Sequence, residues 1–424
     1  MKKQWKRQLN LGIYAIVWSF VIGVATASYL NFVNWLIELV WHSYLHGGNV
    51  LGRWYPFLVC GLGGGLVGWL NRRWGNYPWT IEQVLSKVKL HGRLDYHQWW
   101  KSLILGLLVL GLGGSIGPEA STAVLTGSMI NWLGDRLRWE KVSSSSHSAR
   151  HLWSGRMAPA QLEQAPRFSV LFHSKAERLA TVTALTIVGV VGAGIIFKLF
   201  PEEGAFGIHH QAIQWTPANL WTWLPTMVVG VAFGCFFVYL ENSFAKLINI
   251  RLGPIAQGIV FGLTLALASL VSPDVMFSGE FRIVPFSNEA LNLSVAFLIL
   301  LALLKAVLTN LGFVMGWRGG MIFPAIFSSV AVGVACAMLL PGSLRVNAIV
   351  VVTASLTRIL GKPILVIVLL FFLVAVELSP VIIVIALLVS GLAKLPAVLN
   401  KSKGSTILST DGFNISAYFG LNLK

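Results

Sequence analysis

The sequence predicts an all-α, polytopic membrane protein built from two repeats with broken helices. Three observations carry this reading. Apolar residues make up 55% of the 424-residue chain and charged residues only 11%, far below the roughly 25% that soluble domains carry. The apolar stretches are continuous, whereas barrel strands would alternate, so in lipid the backbone groups must be satisfied within helices. Finally, one glycine-rich motif occurs twice, at Gly113–Pro118 and Gly319–Pro324.

Apolar blocks fall near residues 11–40, 57–70, 102–133, 179–200, 219–240, 253–272, 291–317, 321–341, 347–376 and 378–398. The first follows Lys2, Lys3, Lys6 and Arg7 and contains Ala25-Thr-Ala27, which looks like a signal-peptide cleavage site. Its apolar character resumes at once through Trp35 and Val40, so a retained first membrane helix is expected. In the second block Gly61 to Gly68 is rich in small residues that let membrane helices approach closely. Several blocks fall short of the roughly 20 residues a full span needs, and Gly and Pro interrupt others, which points to broken helices.

Segment 135–178 reads as a soluble insertion, with Ser143–Ser146, several arginines and two prolines. Its His147 and His151 have i, i+4 spacing but no evident third ligand, and His209-His210 lies in another polar connection; no metal site is expected. The three cysteines stand singly in apolar stretches and read as packing residues, without disulfide or metal spacing. The formal charge is +16, and the basic residues cluster between apolar blocks. That is the pattern of cytoplasmic connections, so nucleic acid is not the expected partner; the bilayer is.

The motif copies read Gly-Gly-Ser-Ile-Gly-Pro and Gly-Gly-Met-Ile-Phe-Pro, with an offset of 206 residues that also pairs Val124 with Val330 and Gly127 with Gly333. Each follows an apolar segment that begins near a lysine, Lys101 or Lys305. The duplication predicts two membrane repeats, residues 1–205 and 206–424. Proline suits the first turn of a helix, where the leading N–H groups are unpaired and the dipole is positive. Two half-helices starting inside the membrane would form an anion site from backbone alone; two tight turns at the membrane surface are the alternative.

These residues resemble the CLC family of chloride channels and proton-coupled chloride transporters. Lys305 to Val330 resembles the family's Gly-x-Phe-x-Pro region, and Ala354 to Ala393 the helices that follow, including Glu377 before a proline. Phe277-Ser-Gly-Glu280 is a further family-like turn, and Gly114-Ser-Ile-Gly-Pro118 is similar to the Gly-[Lys/Arg]-Glu-Gly-Pro motif. Tyr77-Pro78 with Ile81-Glu82 is similar to the Gly-Ser-Gly-Ile-Pro-Glu motif. The resemblance implies two inverted-topology repeats of tilted and broken helices, a homodimer with one anion pathway per subunit, and no cofactor; only a short stretch follows Val398, so no regulatory domain is expected after the membrane part. It places a central anion on the backbone of Gly320, Met321, Ile322 and Phe323, and an outer one on Ser115, Ile116 and Gly117. Asn76 falls near the position of the family's chloride-contacting serine.

The family's gating glutamate falls at Ile116, which can neither compete with an anion nor carry a proton. Chloride flux without tight proton coupling is therefore expected. Glu119, three residues later, is either a partner for the dipole of its own helix or a relocated gate. Glu202 or Glu203 would lie near the family's inner proton-handling glutamate, and Tyr418 lies too far along to stand for its pore-facing tyrosine. Arg318 either raises the local positive potential or snorkels to the interface, and Glu377 reads as a hydrogen-bonding group inside an apolar run. Three rivals remain: transport of another anion, such as fluoride, nitrate or an organic acid, on the same scaffold, a nontransporting scaffold that has lost its substrate, and a membrane-embedded enzyme. The last lacks a nucleophile with a base among the apolar segments.

Overall fold

The computed structural model describes residues 2–47, 51–91, 94–142, 174–200, 217–246 and 252–401. His147, His151, Glu202, Glu203, His209, His210 and Tyr418 lie outside the described residues. Among those described, the chain forms helices, short turns and one isolated backbone bridge. In order the helices are α1 (Lys2–Leu45), α2 (Tyr55–Trp74), α3 (Ile81–His91), α4 (Trp99–Gly111), α5 (Glu119–Val142), α6 (Lys175–Leu199) and α7 (Pro217–Lys246). They continue with α8 (Pro254–Ser269), α9 (Ile283–Glu289), α10 (Val295–Val314), α11 (Ile322–Leu339), α12 (Leu344–Leu360), α13 (Pro363–Phe371) and α14 (Ser379–Lys401). Six of these stretches are long and apolar enough to cross a membrane: Gln8–Leu45, Lys175–Leu199, Trp221–Lys246, Val295–Val314, Ile322–Leu339 and Val376–Ala393.

Local sequence sets the ends. Ser174 and Ser294 cap α6 and α10 by accepting hydrogen bonds from the N–H groups of Glu177 and Phe297. Prolines open α2, α8 and α13, where their missing N–H costs nothing. Two apolar blocks are broken, as expected. Leu112–Pro118 separates α4 from α5, and Gly361, at φ 62°, with Lys362 separates α12 from α13, which Pro363 opens. The first block is one uninterrupted helix through Ala25–Ala27.

The insertion at 135–178 needs correction at both ends. Residues 135–142 continue α5 and 175–178 begin α6. The misleading charges are Asp135 and Arg138, both buried and joined in an ion pair one turn apart. Mutual neutralisation lets the helix carry them past the point where composition suggests it should stop. Residues 143–173 lie outside the described residues.

Packing divides the chain into two units, one of residues 1–205 and 239–331, the other of 206–238 and 332–424. Within the first, α2 lies on α8 at backbone contact. A Cβ on Gly64 would stand 2.1 Å from the Gly258 carbonyl oxygen, and one on Gly262 would stand 2.0 Å from that of Cys60. The glycine run of α2 is thus a seam for a neighbouring helix, as the sequence predicts. Helices α1 and α6 meet in the same way, Gly23 against the Gly189 carbonyl. Within the second unit, Gly230 and Gly234 of α7 lie against the Val351 and Ser355 carbonyls of α12. There the Thr222 hydroxyl donates to Asn347 Oδ1 at 2.6 Å, and α14 packs on α12 and α13. Glu377 is half-buried in the short turn Val376–Leu378 before α14.

The α2–α8 seam generates a paired prediction. Gly64→Ala places a methyl group into backbone and destabilises the protein by about 1–3 kcal/mol, the range for overpacking. Gly65→Ala meets only Ile259 at 3.6 Å and is neutral or stabilising, because Ala is the better helix former. Thermal unfolding of both variants in detergent checks the difference.

Candidate functional site

The two glycine motifs build two matching interruptions. Helix α4 ends at Gly111 and the chain reverses through Gly113, at φ 93°; Gly114 N–H then donates back to Val109 O at 2.8 Å. Helix α10 ends at Val314, the chain reverses through Gly316, at φ 89°, and Trp317 N–H donates back to Gly312 O at 2.9 Å. Positive φ makes glycine the natural residue at both turns. The two segments then run antiparallel and meet at one point. Gly117 N–H donates to Gly320 O at 2.6 Å, and Gly320 N–H donates to Gly117 O at 2.7 Å.

Equivalent features lie 203 residues apart, as in Gly113 with Gly316, Gly117 with Gly320, and the helix starts Glu119 with Ile322. The motif alignment at 206 is therefore three residues out of step with the backbone. The reciprocal bridge pairs equivalent residues, so the local two-fold passes through it, and the two copies run in opposite directions as inverted repeats require. Pro118 precedes α5, whereas Pro324 is the third residue of α11.

This crossing brings the starts of α5 and α11 together, and Glu119 joins them. It opens α5, is 9% exposed, and accepts a hydrogen bond on Oε1 from Phe323 N–H at 2.7 Å. The carboxylate also lies against the backbone N–H groups of Ile322 and of Glu119 itself. Its Oε2 is buried with no hydrogen-bond partner among the described residues. A Cβ on Gly117 or Gly320 would stand 1.8 or 2.0 Å from that oxygen. Two glycines thus leave the space, and two helix ends supply the donors, for one negative charge.

The surrounding carbonyls are accounted for. At the end of α4, Trp41 Nε1 donates to Gly111 O at 2.8 Å, Cys60 Sγ to Leu112 O at 3.3 Å, and Phe277 N–H to Gly113 O at 3.1 Å. Asn71 Nδ2 donates to Gly316 O at 2.7 Å. The turn containing Phe277 is held by Lys305, a fully buried side chain whose Nζ donates to the carbonyls of Asp274, Met276 and Phe277 at 2.8, 3.0 and 3.1 Å. Away from water, such groups need partners within the protein.

The residues expected from sequence are placed as follows. Ile322 and Phe323 present their amides to the carboxylate, and Met321 precedes α11 half-buried. The amides expected to hold an outer anion are partly spent, because Ile116 N–H donates to Gly114 O and Gly117 N–H to Gly320 O. Gly320 N–H is likewise committed to Gly117 O. Ile116, 1% exposed, packs its side chain on Gly319. Ser115 is buried, with its hydroxyl 3.3 Å from that of Thr309. Asn76 is exposed on the connection after α2; the amide of this stretch that reaches a motif is Asn71, which sequence reasoning missed. Arg318 is half-buried, with its guanidinium 5.0 Å from the centre of the Phe313 ring. Glu119, weighed as a partner for its own helix dipole, serves the opposite helix end as well.

Comparison with known proteins agrees with this architecture. The model of the voltage gated chloride channel family matches residues 170–395. The H(+)/Cl(-) exchange transporter ClcA of Klebsiella pneumoniae (strain 342) is 28% identical over 264 residues, which cover 57% of this chain and 53% of that protein. ClcA of Salmonella arizonae is 27% identical over 271 residues, covering 58% and 54%. The chain spans about half the length of the curated relatives it matches. Among solved structures, a slow cyanobacterial Cl-/H+ antiporter aligns over 94% of this chain and 99% of its own, with TM-score 0.67 and 21% identity. A CLC-type fluoride/proton antiporter aligns over 90% and 94%, with TM-score 0.63 and 18% identity. These likenesses place the chain in the CLC fold.

The lysine clamp is testable. Lys305→Met removes the donor from three carbonyls, of which the buried Met276 carbonyl costs about 1–3 kcal/mol when unsatisfied, and loosens the turn that holds Gly113. A clear loss of thermal stability in detergent is expected; an unchanged melting temperature would show that the clamp contributes nothing.

Proposed function

The chain belongs to the voltage gated chloride channel family, and from that premise we propose that it exchanges a small anion, chloride foremost, for protons across the membrane, with Glu119 as the group that alternates with the anion. The observation that carries this reading is the Glu119 carboxylate resting on the first amides of α11. A free anion needs those same donors. Like charges do not share one small site, so carboxylate and anion exclude each other there.

Protonation resolves the competition. A proton arriving from water binds a Glu119 carboxylate oxygen, and the neutral acid loses its charge-assisted hydrogen bonds. The side chain leaves, and an anion takes the amides of Ile322 and Phe323. Deprotonation restores the charge, and the returning carboxylate expels the anion. Proton and anion thus occupy the site in turn. This reading replaces the expectation of uncoupled flux, which followed from isoleucine at position 116. The carboxylate at the helix ends stands three residues after Ile116, and on this reading the coupling rests on Glu119.

The sign of the pH effect follows. Acid protonates the competitor and frees the donors, so anion flux rises as pH falls. In liposomes with chloride and proton movement recorded together, Glu119→Gln is expected to abolish proton movement, retain chloride flux and flatten its pH dependence. Ile116→Ala is expected to keep proton movement. Undiminished proton movement in Glu119→Gln would defeat the assignment.

A second reading, a different anion on the same scaffold, is favoured by the exposure of Asn76, which leaves selectivity to the backbone. Competition of fluoride and nitrate against labelled chloride in the same vesicles separates the two, since the anion that suppresses flux at the lowest concentration is the preferred one. The family resemblance further supports a homodimer, which the mass of the protein in lipid particles tests.

A further inference from the structure

We propose that the end of α1 carries a divalent transition-metal site, formed by His42 and His46 and oriented by Glu38, and that its occupancy restrains the pathway through Trp41. Glu38 and His42 lie one turn apart at the end of α1, and His46 follows its last residue, Leu45, with its N–H still donating to His42 O at 3.0 Å. One ligand atom from each lies within 4.8 Å of those from the other two, and all three are exposed. The imidazole rings are 4.5 Å apart.

Hydrogen bonding prepares both rings. His42 Nδ1 is bonded to Glu38 Oε1, and His46 Nδ1 lies 3.0 Å from the backbone carbonyl of His42. Carboxylate and carbonyl both accept, so each Nδ1 donates and Nε2 is the nitrogen left to coordinate a metal. Metal-bound histidines are oriented in this way, with the second nitrogen tied to a carboxylate or carbonyl. Two imidazoles suit zinc, copper or nickel and not calcium or magnesium; water can complete the coordination of zinc. Helix α1 has 44 residues. At 1.5 Å per residue it extends ~66 Å, against ~30 Å of hydrocarbon, so its end has length enough to reach water and dissolved metal.

The link inward is Trp41, the neighbour of His42. It is fully buried, donates to Gly111 O at 2.8 Å, and packs edge-on against Phe277 at 5.4 Å between ring centres. A Cβ on Gly113 would stand 3.0 Å from its ring. Metal clamped across residues 42 and 46 stiffens the helical turn that holds the α4–α5 reversal, and with it the start of α5. The regulatory half of the proposal rests on the anion-exchange reading; the binding half does not.

The test titrates zinc into purified full-length protein by calorimetry. One site lost in His42→Ala and in His46→Ala, weakened ~10-fold or more in Glu38→Gln, as for an orienting group, and kept in His97→Ala is the expected result. His97 is the control because it too pairs with a carboxylate, that of Asp95. Zinc binding that survives both His42→Ala and His46→Ala, or that magnesium reproduces, overturns the site. In liposomes, zinc is expected to slow anion flux in the unaltered protein and not in His42→Ala. Binding without that slowing overturns the regulatory link and leaves the site standing.

Discussion

Two hydrogen bonds between Gly117 and Gly320 hold the arrangement together. They are ordinary in strength, each of the order of 1 kcal/mol net, but they fix where two helices begin. A helix start in the membrane interior has several donors and no water to satisfy them. Crossing the two entering segments brings both starts to one point, so a single acceptor can serve both. Glycine at the crossing keeps the backbones in contact and leaves the volume that the Glu119 carboxylate fills. The surrounding devices secure the same point. Trp41, Cys60, Phe277 and Asn71 occupy the carbonyls of the two reversals, and Lys305 holds the turn behind them.

Local symmetry at this crossing concerns backbone only. Equivalent positions at the two helix starts are Glu119 and Ile322, one ionisable and one not. Duplication supplies two donor sets of like geometry, and one side chain breaks the equivalence by reaching from its own helix to the other. The charged partner thus comes from one copy, while Ile322 contributes its amide and an apolar wall. A site with a carboxylate from each copy would set two like charges at one point, where both could not remain ionised.

Much of this was legible in the sequence. The low charge, the continuous apolar blocks and the doubled Gly-Gly-x-Ile-x-Pro predict membrane helices interrupted at corresponding places, and the interruptions fall there. The three-residue slip was not legible, for a physical reason. The first turn of a helix leaves its N–H groups unpaired, so proline is tolerated at several positions around it. Pro118 before α5 and Pro324 inside α11 are equally good openings, and neither marks the first residue. The reach of Glu119 to Phe323, 204 residues away, is likewise invisible to local spacing; sequence shows only a carboxylate in a first turn. Asp135 and Arg138 misled in the opposite direction, since composition counts two charges where the helix carries one neutral pair.

The Glu119 carboxylate is also a ligand on a tether. Its effective concentration at the helix ends is fixed by a few rotatable bonds, not by the solution. Any free anion is therefore measured against an internal standard, and apparent affinity is intrinsic affinity discounted by the fraction of time the side chain is away. Two chains with identical amides could then differ widely in anion affinity because their glutamates rest differently. Substitutions that only crowd the rotamer of Glu119, without touching the anion, become changes in binding strength.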